Sequence, residues 1–184
     1  MSRPRPIPQA RKFQRWAALA LVALAACAPV RTPLPTVPAV DLARYAGRWY
    51  EIARLPNRFQ AMCASDTQAT YRPAGEDVTV LNQCRTASGE VERAQGIAHV
   101  VPGSGGAKLR VSFFRPFYGD YWVLALDPDY RWVLVGEPSR KYAWVLARQP
   151  ALPPAALDAL LARAAALGFD RHAFIRTPQS GAAR

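Results

Sequence analysis

The sequence predicts an all-β domain: an eight-stranded antiparallel up-and-down β-barrel, with one C-terminal α-helix packed outside and a short ninth strand. Three observations lead there. From Gly47 onward apolar and polar residues alternate with period two, the pattern of half-buried strands. Turn-forming residues break the alternation roughly every 8–14 residues, the spacing of hairpins rather than of strands joined by helices. The one long helical pattern comes after the eighth strand, so a closed meander with an external helix meets every connection.

Taken in order, strands are expected at 47–54, 66–72, 78–85, 91–101, 107–114, 120–127, 131–137 and 142–149. Pro153-Pro154 opens the helix, because proline in the first turn forfeits no hydrogen bond. Leu157, Leu160, Leu161, Ala164 and Leu167 then share one face and Gly168 ends it. The ninth strand falls near 173–176. In the sixth strand Tyr121, Val123 and Ala125 alternate with Trp122, Leu124 and Leu126, so both faces need cover: one lines the barrel and the other lies under the helix. That assignment places Val78, Val80, Leu109, Val111, Phe113, Tyr121, Val123, Trp132, Leu134, Tyr142, Trp144 and Leu146 in the interior. These side chains either line a ligand cavity or fill a solid core, and alternation alone supports both. The fourth strand has a small-residue stripe (Ala94, Gly96, Ala98, Val100) and an apolar one (Val91, Ile97, Val101), and its facing stays open.

Twenty-four Lys+Arg against 13 Asp+Glu give a net charge of +11. A balance of that sign points to nucleic acid or an anionic membrane until the charges are placed. Arg3, Arg5, Arg11, Lys12 and Arg15 precede the apolar run Trp16–Ala26, and removing those five from +11 leaves +6. No basic run or basic helix follows residue 15, so nucleic acid is not an expected partner. The apolar run is 11 residues, short of the ~20 that cross a bilayer, so it reads as a signal h-region. It ends in Leu24-Ala25-Ala26-Cys27, which resembles the lipobox of bacterial lipoproteins. That resemblance implies cleavage after residue 26, a lipid on Cys27 as membrane anchor and, with Ala28 rather than Asp next, export to the outer membrane. A plain secretory signal is the alternative. Residues 27–40, with four prolines after the cysteine, are expected to form an extended tether, residues 41–177 the barrel domain, and residues 178–184 a flexible tail.

With Cys27 lipidated, Cys63 and Cys84 remain as an even pair in an oxidising compartment. The turn Arg72-Pro73-Ala74-Gly75-Glu76-Asp77 sets opposite residues whose numbers sum to about 149, so a disulfide across that hairpin is geometrically reasonable. Two free buried thiols are the other reading.

Gly47-Arg48-Trp49-Tyr50-Glu51-Ile52-Ala53-Arg54 resembles the G-x-W signature of the lipocalins. Asp127-Pro128-Asp129-Tyr130, at the turn between the sixth and seventh strands, and Arg148, at the end of the eighth, match the family's second and third motifs. The stretch from Val111 to Tyr121 (VSFFRPFYGDY) looks like the bacterial outer-membrane branch. The resemblance implies a barrel-closing set in which Gly47 permits close approach, Trp49 plugs the floor, Arg148 lies on the indole, and Asp127 and Tyr130 tie the adjacent turn. It also implies a calyx for a fatty acid or lysophospholipid, used in membrane lipid handling or repair on the periplasmic side of the outer membrane, with a homodimer across the mouth compatible with the same reading. Glu51, expected to face inward, needs a partner there: a barrel arginine or the cationic headgroup of a ligand.

Neither His99 nor His172 has a carboxylate or cysteine at ligand spacing, and no G-x-S-x-G occurs, so neither a metal nor a cofactor is expected. Two other classes stay open: a lipocalin-fold enzyme, which needs a free cavity thiol or a second acid, and an envelope assembly lipoprotein with a filled barrel.

Overall fold

The fold, described for residues 33–181 of a computed structural model, is an antiparallel meander. Its strands are β1 (Gly47–Arg54), β2 (Cys63–Ala74), β3 (Asp77–Thr86), β4 (Val91–Val100), β5 (Lys108–Phe114), β6 (Phe117–Leu126), β7 (Trp132–Gly136) and β8 (Ala143–Ala147). Each pairs with the next, β8 returns to β1, and β1 pairs with β2 from Gly47↔Tyr71 to Tyr50↔Gln68, which closes the barrel. Beyond Tyr50 the two strands part. There β9 (Ile175–Arg176) pairs with Ala53 and Arg54 instead. The expected signal peptide and Cys27 lie outside the described residues.

Helix α2 (Pro154–Ala166) starts on proline as expected, and Gly168, at φ +88°, follows its last turn. Leu157, Leu160 and Ala164 are buried against Ile52, Ala53, Leu124, Ala125, Ala143, Val145 and Ala147 on the outer face of the barrel. Each of those leucines contributes roughly 1.5–3 kcal/mol by burial. A second cluster, including Trp49, Tyr71, Val78, Val80, Leu109, Val123 and Leu146, fills the interior. The four-residue helix α1 (Leu42–Tyr45), capped by the Asp41 carboxylate on the amides of Ala43 and Arg44, closes one end.

Three expectations are corrected. Trp132 and Leu134 belong to the helix-side cluster, and Val133 and Val135 face inward in their place. All four are apolar, so alternation could not choose; the register does, because Val133 pairs with Leu146 and Val135 with Trp144, and directly opposed residues share a face. An irregularity in β6 between Val123 and Ala125 likewise sends Ala125 to the helix side along with Leu124. The second correction concerns the tether. Leu34 and Val40 are buried, the Val37 amide donates to the Val123 carbonyl (3.0 Å), and that of Val40 to Gly105 (2.8 Å). An extended proline-rich segment has about three residues per turn, so Leu34, Val37 and Val40 present one apolar edge to the barrel. Gly105 and Gly106 allow the approach, since a Cβ on either would lie 2.6–2.7 Å from a backbone carbonyl of that segment. Third, the tail is held as far as Ser180: Gln179 donates to the carbonyls of Glu51 and Thr67, and Ser180 to Asp66. It fills the gap left where β1 and β2 part.

Cys63 and Cys84 form a disulfide with Cα atoms 5.5 Å apart. The hairpin runs two residues out of the expected register, with Pro73 opposite Val78, until irregularities near Ser65 bring Cys63 opposite Thr86, within reach of Cys84. Thiol titration of the exported chain, denatured without reductant, is expected to find neither cysteine reactive; two reactive thiols would contradict the bond.

Candidate functional site

The closed end is built around Trp49, which is fully buried. Its indole N–H donates to the Tyr45 carbonyl (2.8 Å), and the Arg148 guanidinium lies 4.0 Å above its ring. Arg148 also donates to the carbonyls of Arg44 (2.7 Å), Ala46 (2.9 Å) and Arg48 (2.8 Å), so one side chain binds α1 to the start of β1. Gly47 sits at φ +94°, and a Cβ there would be 3.3 Å from that guanidinium, so both its conformation and its lack of a side chain are used. Asp127 accepts from the amides of Asp129 and Arg131 and from the Arg131 guanidinium at 2.8 and 2.9 Å. The Arg131 hydrogen bond, outweighing burial, holds that carboxyl below its usual range. The Tyr130 hydroxyl accepts from the Asp41 amide (2.9 Å), and Arg44 lies 4.2 Å above its ring. The structure thus brings all five motif residues to the same end.

Above this floor the Tyr121 hydroxyl contacts those of Tyr45 (2.6 Å) and Tyr71 (2.9 Å). Burial pushes all three hydroxyls up, that of Tyr71 to about 12. The space among these rings and Leu42, Val78, Ala98, Leu109 and Val111 is about 10 Å³, room for a single water. The lower half of the barrel is therefore filled.

The upper half is more open and less uniform. Val80, Val111 and Trp144 pack with the interior cluster, and Tyr142 stacks on Trp144 at 6.3 Å just before β8 begins. Phe113 shares the interior face: its ring lies against Gly96, which opposes the inward-facing Val80, and at the open end it is 43% exposed. Glu51 is 2% exposed and opposes Leu146, which places it on the interior face. It accepts from Arg54 (2.7 Å), from the Thr177 hydroxyl and from Gln60 (2.7 Å). Of the two partners considered for Glu51, the structure supplies the arginine. Gln60 also accepts from the Trp144 indole (2.8 Å) and belongs to a 3₁₀ turn, Arg58–Gln60, in the loop between β1 and β2. No spacing in the sequence pointed to Gln60 or Thr177, since loop and tail reach Glu51 only once the barrel is closed.

Phe59, Met62, Val91, Phe113, Phe114, Phe117 and Ile175 are the large apolar side chains exposed among the described residues. All seven lie toward the end opposite Trp49. The hairpin Phe114–Phe117 carries two rings stacked at 6.3 Å with Arg115 between them in sequence, and Arg58 lies 4.9 Å over the Phe59 ring. An apolar rim edged with guanidinium groups is unusual on a surface facing only water.

Residues 40–179 match the family model described as a lipocalin-like domain. The chain is a lipocalin. It is 40% identical over 157 residues to temperature-induced lipocalin-1 of Arabidopsis thaliana, covering 80% of this chain and 83% of that one. It is 38% identical over 169 residues to the outer membrane lipoprotein Blc of Escherichia coli K12, covering 90% and 95%. Among solved structures, insecticyanin from the tobacco hornworm Manduca sexta is similar with a TM-score of 0.62 at 25% identity, covering 79% of this lipocalin and 85% of that chain.

Proposed function

We propose that this lipocalin is anchored through a lipid on Cys27 to the periplasmic side of the outer membrane, where it binds and transfers a fatty acid or lysophospholipid in membrane lipid handling or repair. The observation that carries this reading is the rim of exposed aromatic side chains and arginines at the end opposite Trp49, a surface suited to meeting lipid. Likeness over 90% of the chain to proteins named as outer membrane lipoproteins supports the location, as does the Leu24-Ala25-Ala26-Cys27 sequence. Binding needs no covalent step: each CH2 of the acyl chain contributes about 0.8 kcal/mol on leaving water. Because the floor is filled, the chain lodges in the upper half, against Val80, Val111, Tyr142 and Trp144. An enzyme using a cavity thiol finds no support in a pair of cysteines bonded to each other.

The small space among the floor tyrosines favours a second reading, an assembly lipoprotein with a filled barrel. Native mass spectrometry of the exported protein separates the two. A co-purifying single-chain lipid at one per chain is expected, whereas a lipid-free protein that also takes up no fluorescent fatty acid points to the filled barrel. The anchor has its own test. Metabolic labelling with a palmitate analogue should mark the wild type and not Cys27→Ser, and equal labelling of both refutes lipidation at that residue.

A further inference from the structure

The wall of the barrel is incomplete between β4 and β5. β4 pairs with β3 along its whole length, from Asp77↔His99 to Arg85↔Val91, but with β5 only from Ile97↔Ser112 to Val100↔Leu109. Among the described residues no strand pairs the other edge of β4 above Ile97. Along its lower part Ala98 faces inward and is buried, but Ala94, two pleats higher on the same face, is exposed, as are Val91, Glu92, Arg93 and Gln95. The inner face of β4 thus meets solvent toward the mouth.

What fills the split is a ring. Two Phe113 ring atoms lie 2.8 and 2.9 Å from where a Cβ on Gly96 would stand, so the absence of a side chain on Gly96 makes the seat in which Phe113 rests. Beside it is an open depression of about 410 Å³ lined by Thr79, Gln95, Ile97, Ser112 and Arg115. Ser112 is 3% exposed and its hydroxyl is buried with no hydrogen-bond partner, a rare state for a native polar group. The Arg115 guanidinium has no ion pair or side-chain hydrogen bond among the described residues. A hydroxyl and a guanidinium, both unengaged, beside an apolar ring match a molecule with an acyl chain and an oxyanion headgroup. On the far side, by contrast, the mouth is strapped: Gln60 ties its loop to both Glu51 and Trp144, and Phe59 packs 5.9 Å from Tyr142.

We propose that a single-chain lipid with a carboxylate or phosphate headgroup enters the calyx sideways through the split between β4 and β5, displacing the Phe113 ring from Gly96 and leaving its headgroup at Ser112 and Arg115. The exposed Phe114 and Phe117 of the same hairpin place that opening against a bilayer. This entrance rests on the lipid-binding reading above, and the test separates the two.

Vesicles of phosphatidylcholine and phosphatidylglycerol carrying a fluorescent fatty acid, or in a parallel arm a fluorescent lysophospholipid, supply the ligand to the exported protein, and uptake is followed by stopped flow. In one variant Arg93→Cys and Phe114→Cys are joined by a bis-maleimide, which bridges the split; Cys63 and Cys84, being bonded to each other, do not react, and neither does a lipidated Cys27. Stapling is expected to slow uptake about tenfold while equilibrium affinity stays within about twofold, because a closed entrance changes rate and not the site reached. Phe113→Ala, which removes the stopper, is expected to speed uptake at least about threefold. Faster uptake of only one probe by that variant assigns the headgroup, carboxylate or phosphate. A stapled, folded protein that loads at the unstapled rate overturns the entrance and leaves lipid binding standing. If the stapled protein fails to fold, an unchanged rate in Phe113→Ala overturns it equally. A wild type that takes up neither probe overturns both readings.

Discussion

Trp49→Ala is expected to lower the free energy of unfolding by about 3–5 kcal/mol, the range for removing a large buried aromatic. Three losses combine. The fully buried indole leaves a hole that the rigid floor cannot refill; its hydrogen bond to the Tyr45 carbonyl disappears; and Arg148, 4.0 Å above the ring, loses the surface it lies on, an interaction on the order of 1 kcal/mol. Trp49→Phe keeps most of the volume and a ring for Arg148 but not the N–H, so a loss of about 1–2 kcal/mol is expected. Urea unfolding followed by far-ultraviolet circular dichroism measures both, with the denaturant slope compared to exclude a changed unfolded state. A loss below about 1 kcal/mol in the alanine variant would mean that α1 and Arg148 close the floor without the plug.

The second large effect is on binding. Trp144→Glu is expected to weaken lipid affinity at least tenfold, or ~1.4 kcal/mol, because a carboxylate replaces an apolar ring in the upper calyx and has to be desolvated when an acyl chain arrives. The substitution also removes the donor to Gln60 and sets a second acid close to the Glu51–Gln60 contact. Quenching of tryptophan fluorescence by a lipid with a quencher in its tail reports the affinity. Trp122→Glu is the control on the opposite face: Trp122 packs with the helix-side cluster, and Lys108 lies 4.1 Å over its ring. That variant should lose stability while the folded fraction keeps most of its affinity. Unchanged binding by a folded Trp144→Glu protein would show that the ligand does not use the calyx.

The order and number of the strands, their limits to within three residues and the external helix from Pro154 were legible in the sequence, as were the disulfide, as one of two readings of the cysteines, and, through the motif resemblance, the floor built on Gly47, Trp49, Asp127, Tyr130 and Arg148. Those features rest on local information: a period, a turn, a proline, a motif. Which face of β7 looks inward could not be read locally, because Trp132, Val133, Leu134 and Val135 are all apolar and the choice belongs to the register with β8. Nor does the sequence show that Leu34, Val37 and Val40 lie against the barrel or that Gln60, Thr177 and Gln179 meet at β1. Each of those contacts joins segments far apart in the chain, and no local pattern encodes a partner that arrives only when the barrel closes. The split beside Gly96 is of the same kind: β4 reads as a continuous strand, and its missing neighbour is visible only where β5 turns away.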